Sequence, residues 1–470
     1  MVTELCYQPA VELAALLRAR EISARELLAA HLDRIEQTNG AVNAIVTFCT
    51  ERAMAEATAA DEALAHGEDV GALHGLPFGI KDTHATEGIR TTQGSPLFAD
   101  FVPERDELLV ARERAAGAIV VGKTNVPEFA AGSHTMNPVF GATHNPYDLT
   151  RSAGGSSGGS AAALACGMVP LADGSDMGGS LRNPASFNNV VGLRTSPGRV
   201  PNWPSLTPWS TLGVQGPLGR TVEDVALLLS VQAGPDLRAP LSIDQPGSVF
   251  RPPLHADVTG LRLAWSPDLG GSVPVEPAVT DVLARQVKVF EELGCTVEQA
   301  CPDFSGADEV FRTLRAWQFD MVMGPLRDLH ADRMKATLVW NIDQARTLTG
   351  ADVARAELLH TELFHRVRRF FESYDGLLLP VSQTPPFDGT LEYPTVIAGV
   401  QQETYLDWMR SAYYVSATAS PAISVPAGFT PDGLPVGLQI VGAHRADSTV
   451  LRLAYAFEQA ARVGERRPVR

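Results

Sequence analysis

An α/β fold is what this sequence predicts, and three observations predict it. The chain has 470 residues, 45% of them hydrophobic and 20% charged, ordinary proportions for a globular protein with a large core. Helical and strand patterns alternate along it: residues 261–265 read as a strand, 276–293 as a helix and 295–298 as a second strand, a β-α-β unit within a continuing sheet. Residues 151–200 hold two glycine-serine clusters, 154–160 and 174–180, separated by a run of small apolar residues. A flexible linker would be rich in glycine and serine throughout. Here residues 161–169 read as buried and, by their alanines, helical, so the clusters are tight loops at the ends of rigid elements. Length alone allows one large domain or two to three smaller ones.

The elements follow in order. Residues 9–20 form an amphipathic helix with proline near its first turn. Ser23 and Glu26 are spaced as a capping box, opening a second helix that reaches about residue 38, where Asn39-Gly40 turns the chain. Thr50 caps a third, alanine-rich helix that ends near Gly67. Residues 78–80 are a short buried strand that delivers Lys81 and Asp82 at its end. Lysine is rarely fully buried without a partner or a task, so Lys81 is either an exposed strand-end residue paired with Asp82 or a functional group. Residues 107–116 are helical.

The string GAIVVGKT at 117–124 satisfies the phosphate-loop pattern GxxxxGK[ST]. Between its glycines, however, stands Ala-Ile-Val-Val, strand material that does not wrap phosphates, and Asn125-Val-Pro127 opens no helix. Nucleotide binding is not expected there. Residues 201–219 are rich in proline, tryptophan and serine, and Trp203 and Trp209 either line a pocket or pack under a loop. Thr221 caps a helix ending near Ala233, and residues 234–256 form a proline-rich surface connection. Residues 305–372 are mainly helical and carry bulky groups such as Trp317, Phe319 and Trp340, either a layer over a site mouth or plain helical packing. Strands at 376–381, 422–425 and 434–441, the last after the Pro431-Asp-Gly turn, and a helix at 448–461 close the chain.

Composition excludes several classes. A formal net charge of -16 and a pI near 5.2 argue against nucleic-acid binding through the chain's own surface. The first twenty residues lack a basic start followed by an apolar run, so no signal peptide is expected, and no apolar stretch of about 18 residues is present to span a membrane. Five scattered cysteines read as reduced thiols of a cytoplasmic protein, and His360 and His365 are five apart, off the one-face spacing of a helical metal site.

Serines on glycine-rich backbone are usually turn residues. They can equally be a nucleophile beside a nest of N–H donors. The joint pattern decides. GLPFGIKD at 75–82, GAIVVGKTNVPEF at 117–129, GGSSGGS, GSDMGGSLR, GRTVEDVALLL at 219–229 and LPVGLQIVG at 434–442 stand in order along most of the chain. Together they resemble the amidase signature family of serine hydrolases. The resemblance implies a single α/β/α sandwich domain over residues 1–470, with a large twisted mixed sheet covered by helices on both faces. Its catalytic core would span about 70–230, with a helical insertion over the site at about 305–372.

Position by position, the resemblance implies that Lys81 is the catalytic base, Ser156 a bridging serine after a cis peptide bond, and Ser180 the nucleophile. The N–H groups of Met177, Gly178, Gly179 and Ser180 match its oxyanion hole. Ala130 and Gly132, with Ser156, fall where the family contacts substrate, and Asp176 and Arg182 match flanking residues that support the loop. It implies cleavage of an amide or carbamate C–N bond in a small molecule through an acyl-enzyme, with no metal or organic cofactor, by a monomer or homodimer. Free-standing members include aryl acylamidases, nylon-oligomer amidases and urethanases. The small residues at 130–132 suggest an aryl or otherwise bulky substrate, unless side chains from 201–210 or 305–345 refill the space. The rival within the family is the glutaminase component of the glutamyl-tRNA amidotransferase, which works only inside a complex with partners. Its pattern carries an Asp-Gln pair before the Gly-Pro that precedes TVED, whereas residues 210–217 here contain no aspartate.

Overall fold

A computed structural model describes residues 2–255 and 257–469. Its centre is one eleven-stranded mixed sheet. The strands are β1 (Ile45–Phe48), β2 (Pro77–Lys81), β3 (Ile119–Thr124), β4 (Leu171–Asp176), β5 (Val191–Arg194), β6 (Val214–Gly219), β7 (Arg262–Trp265), β8 (Thr296–Gln299), β9 (Gly376–Pro380), β10 (Ala422–Phe429) and β11 (Pro435–Val441). Their spatial order is β1-β3-β2-β4-β6-β5-β10-β11-β9-β7-β8. The expected mixed α/β architecture is therefore present, with helices packed around the sheet. β2 runs parallel to both β3 and β4, while β4, β6, β5, β10, β11 and β9 are antiparallel in succession. The β-α-β unit read at 261–298 is the parallel pair β7 and β8, with Arg262 opposite Thr296.

Strands buried on both faces need apolar runs rather than alternation. β2, β3, β9 and β11 are buried along their whole length. Against β2 and β4 lies the helix Gly158–Ala165, all eight residues buried. Its glycines and alanines let it sit close to the sheet, so the small apolar run between the two clusters is a packing solution.

Several local expectations needed correction. The turn expected at Asn39-Gly40 is instead the last part of a helix, Ala24–Val42. Asn39 serves that helix end from within: its Oδ1 accepts from the N–H groups of Ala44 and Ile45 at 2.9 Å each, and Asn43 takes the left-handed cap position at φ 57°. The Ser23–Glu26 capping box is formed, but Thr50 is the first residue of its helix rather than its cap, and Cys49 precedes it without a side-chain bond. The helix read at 276–293 divides into Pro277–Gln286 and Lys288–Glu292. The connection at 234–256 has one short 3₁₀ turn, Gly247–Phe250, and its last residue lies outside the described ones. The look-alike phosphate loop is strand β3. All five cysteines are free, and no helix among the described residues is long and apolar enough to cross a membrane.

Candidate active site

Parallel pairing of β2 and β4, with Phe78 opposite Leu171, carries their C-terminal ends to the same edge of the sheet. In open α/β sheets that edge is where sites assemble. β2 ends in Lys81, and β4 ends in Asp176, followed directly by the Met177–Ser180 loop. The other glycine-serine cluster leads into the helix Gly158–Ala165, after a cis peptide between Gly155 and Ser156.

Lys81 is wholly buried, and its Nζ lies 2.8 Å from Ser156 Oγ, 2.8 Å from Ser157 Oγ and 2.9 Å from Ser175 Oγ. The alternative of an exposed lysine paired with Asp82 does not hold, because Asp82 turns away to accept from the N–H and hydroxyl of Thr92. Burial lowers the Lys81 pKa to about 7 against the opposing charges of Asp173 and Asp176. Such an amine is a base near neutral pH, since desolvation penalises only its charged form. Asp173 accepts the Lys81 backbone N–H at 2.6 Å and so fixes the end of the strand.

Ser156 and Ser180 both line one cavity of about 380 Å³, together with Ala130, Gly132, Met177 and Gly178. Ser180 accepts the Ser157 N–H through its carbonyl at 3.2 Å; no hydrogen bond among the described residues joins its hydroxyl to that of Ser156. Of the four N–H groups read as an oxyanion hole, that of Gly179 is donated to Asp176 Oδ1 at 2.9 Å. Those of Met177, Gly178 and Ser180 donate to no group among the described residues. Gly179 sits at φ +110°, and a Cβ there would stand 2.6 Å from both Ala412 Cβ and Asn183 Nδ2, so only glycine fits.

Asp176 and Arg182 hold this loop. Burial alone would raise the Asp176 carboxyl, but the guanidinium charges of Arg182 and Arg194 outweigh it and keep the group well below the usual carboxylate range. Arg182 grips Asp176 with two bonds of 3.0 Å and also reaches the Ala412 carbonyl, Gln439 and Ser416. Arg194 donates to the Asp176 carbonyl at 2.6 Å and to its Oδ1 at 3.2 Å.

Arg194, Ser157, Ser175 and Asp173 are residues that sequence reasoning missed. An arginine inside the apolar run Val-Gly-Leu-Arg of β5 was the available signal, since a charge is buried only with a partner. Neither tryptophan lines the cavity: Trp203 packs between the guanidiniums of Arg105 and Arg238, and Trp209 is 74% exposed. From the helical region, Phe311, Arg315, Gln318 and Phe319 of helix Ala307–His330 form part of the wall. No group of three His, Cys, Asp or Glu side chains among the described residues is arranged to hold a metal ion.

Comparisons with known proteins bear on the chain as a whole. The Amidase family model matches residues 26–451. The chain is 38% identical to an acylamidase of Rhodococcus erythropolis, over 98% of this chain and 96% of that one. It is 37% identical to the A-type subunit of the glutamyl-tRNA(Gln) amidotransferase of Moorella thermoacetica, over 99% of each. Its fold matches the crystal structure of a bacterial aryl acylamidase with a TM-score of 0.90 at 30% identity, covering 97% of this chain and 96% of that one. This chain, with its buried lysine, glycine-serine loops and eleven-stranded sheet, belongs to the amidase signature family of enzymes that cleave C–N bonds.

Proposed function

We propose that this protein is a free-standing serine amidase that hydrolyses an amide or carbamate of a small, aryl or otherwise bulky substrate through an acyl-enzyme on Ser180. One observation carries the reading. Lys81 is enclosed by three serine hydroxyls, with burial holding its pKa to about 7, and one of those serines, Ser156, stands on the same cavity wall as Ser180. A neutral lysine can accept a proton, and a hydroxyl can relay one, so the arrangement needs no histidine.

In the proposed reaction Ser180 Oγ attacks the carbonyl carbon while its proton passes through Ser156 to Lys81. The oxyanion is held by the undonated N–H groups of Met177, Gly178 and Ser180, worth about 10²–10³ in rate for each donor. The C–N bond then breaks, the proton returns through Ser156 to the departing amine, and the acyl group remains on Ser180. Water, activated by the same relay, releases the acid and restores the serine. The hydroxyl link absent between Ser180 and Ser156 is of the kind that tightens when substrate fills the site. The same chemistry serves a carbamate, whose carbonyl also carries an amine leaving group. Ala130 and Gly132 are the proposed substrate-contacting backbone.

The second reading, a glutaminase component of a tRNA-dependent amidotransferase, draws on the 37% identity to such a protein. Against it stands the absence of an aspartate at residues 210–217. Release of 4-nitroaniline from a simple acyl 4-nitroanilide by the purified chain, abolished in Ser180→Ala, is the expected result. Unchanged turnover in Ser180→Ala rules out the serine mechanism. Glutaminase activity that requires added partner subunits favours the second reading. A matched aryl carbamate measured alongside ranks amidase against urethanase.

A further inference from the structure

Four ionisable side chains stand on the cavity wall: His84, Glu107, Asp176 and Arg315. Three of them are balanced within the chain. Asp176 is paired with Arg182 and Arg194. Glu107 is hydrogen-bonded to His84 and also accepts from Gln215 Nε2 at 2.8 Å. Arg315 is different. It is only 4% exposed, yet no carboxylate among the described residues forms an ion pair with it, whereas Arg312, on the same helix, takes both Asp308 and Asp407.

The contacts of Arg315 are all neutral. Its Nε donates to Asn341 Oδ1 at 2.9 Å, its Nη2 to Tyr405 Oη at 3.1 Å, and its Nη1 to the thioether of Met177 at 3.2 Å, a weak acceptor. The guanidinium lies 3.9 Å from the centre of the Phe319 ring. Tyr405 also donates to Asn341 Oδ1, at 2.9 Å, which fixes both acceptors and hence the plane of the fork. A guanidinium has five N–H donors, so about two of them point to no partner. A buried cation held only by rings and neutral oxygens is costly unless something else completes it. The planar fork matches the two oxygens of a carboxylate in bidentate geometry.

We propose that Arg315 is the anion-recognition point of the substrate cavity, so that the enzyme selects amides or carbamates carrying a carboxylate over matched neutral ones. This rests on the reading of Ser180 as nucleophile of the same cavity. Arg315 touches Met177, on the loop that ends in Ser180, which places the carboxylate within a short arm of the scissile carbonyl.

The test compares kcat/KM within two matched pairs: glutaryl against pentanoyl 4-nitroanilide, with the charge on the acyl side, and N-acetyl-4-aminobenzoate against N-acetyl-4-toluidine, with the charge on the amine side. The wild type is expected to favour the charged member of one pair. Arg315→Met should reduce that preference about ten- to a hundred-fold, the range of a charge-assisted hydrogen bond, and Arg315→Lys should restore part of it. Thermal melting confirms that each variant is folded, and if Arg315→Met is not, the lysine variant must still lower the preference through loss of the fork. Wild-type ratios at or below one in both pairs, or a preference unmoved by either variant, overturn the proposal. If no substrate is turned over in a Ser180-dependent way, the proposed function fails instead. Calorimetric titration with benzoate and benzamide then decides on Arg315 alone: benzoate binding that Arg315→Met weakens supports it, and equal or absent binding of the two overturns it.

Discussion

Two lysines on neighbouring strands of one sheet meet different fates. Lys81 ends β2 and Lys123 lies near the end of β3, where it stands opposite Ile80, so the two side chains leave on opposite faces. Both are wholly buried, and burial lowers both pKa values. Lys123 donates to the His84 carbonyl, to Thr86 Oγ1 at 2.8 Å and to Thr91 Oγ1 at 3.1 Å, and the charge of Asp82 favours its ammonium form. A carbonyl can only accept, so this site suits a permanent donor. Lys81 meets three hydroxyls, which can either donate or accept, and two of them, Ser156 and Ser175, line the cavity. In the proposed reaction, what suits a buried lysine to act as a base is thus the protonic versatility of its neighbours and their access to the cavity, more than burial itself.

Four experiments break or sharpen this contrast, in order of expected size. Lys81→Met should lower kcat toward the upper end of the roughly 10²–10⁴ range of general-base catalysis while leaving the fold intact, as read by circular dichroism and single-turnover assays. Lys123→Met should lower kcat less than about tenfold; equal losses in the two variants would erase the distinction. Ser156→Ala should cost about 10²–10³ in kcat, and Ser157→Ala about tenfold or less, although both hydroxyls lie 2.8 Å from the same nitrogen, because of these two only Ser156 reaches the cavity.

The pH profile comes next. In the proposed reaction the active form of Lys81 is neutral, and burial lowers its pKa to about 7, so kcat/KM should rise about tenfold per pH unit below that value and level off above it. A flat profile from pH 5 to 9 would remove Lys81 from the proton path. The smallest effect is on stability. Lys123→Met removes the donor to two buried threonine hydroxyls and one of the two donors to the His84 carbonyl, and should destabilise the protein by about 1–3 kcal/mol in urea titrations.

What the sequence made legible was whatever local chemistry determines. The capping box at Ser23 and the strand nature of Gly117-to-Thr124's apolar middle each follow from residues close together in the chain, whereas local sequence left Lys81 open between an exposed and a functional residue. The candidate site was legible only through a joint pattern: Lys81, Ser156 and Ser180 stand in motifs that resemble the amidase signature family, while serines on glycine loops alone are usually turn residues. Long-range partnership was not legible. Nothing near residue 194 announces that its arginine will meet Asp176, and nothing near Lys123 announces the threonines at 86 and 91. The Asn39-Gly40 misreading has the same origin: asparagine commonly makes turns, but here its amide serves residues 44 and 45 beyond the helix end. Likewise, a tryptophan between two arginines cannot be told from one lining a pocket until the arginines are placed.

The bond from Arg182 to Gln439 bears on the order in which the molecule is made. The loop carrying Ser180 is tied, through Arg182, to Ala412, Ser416 and Gln439, the last 257 positions downstream. A ribosome releases Ser180 well before these anchors, and domains assemble as their parts emerge. The growing chain therefore carries this loop without its later anchors until residues 412–439 have emerged, and the candidate site is completed only when β11 has left the exit tunnel.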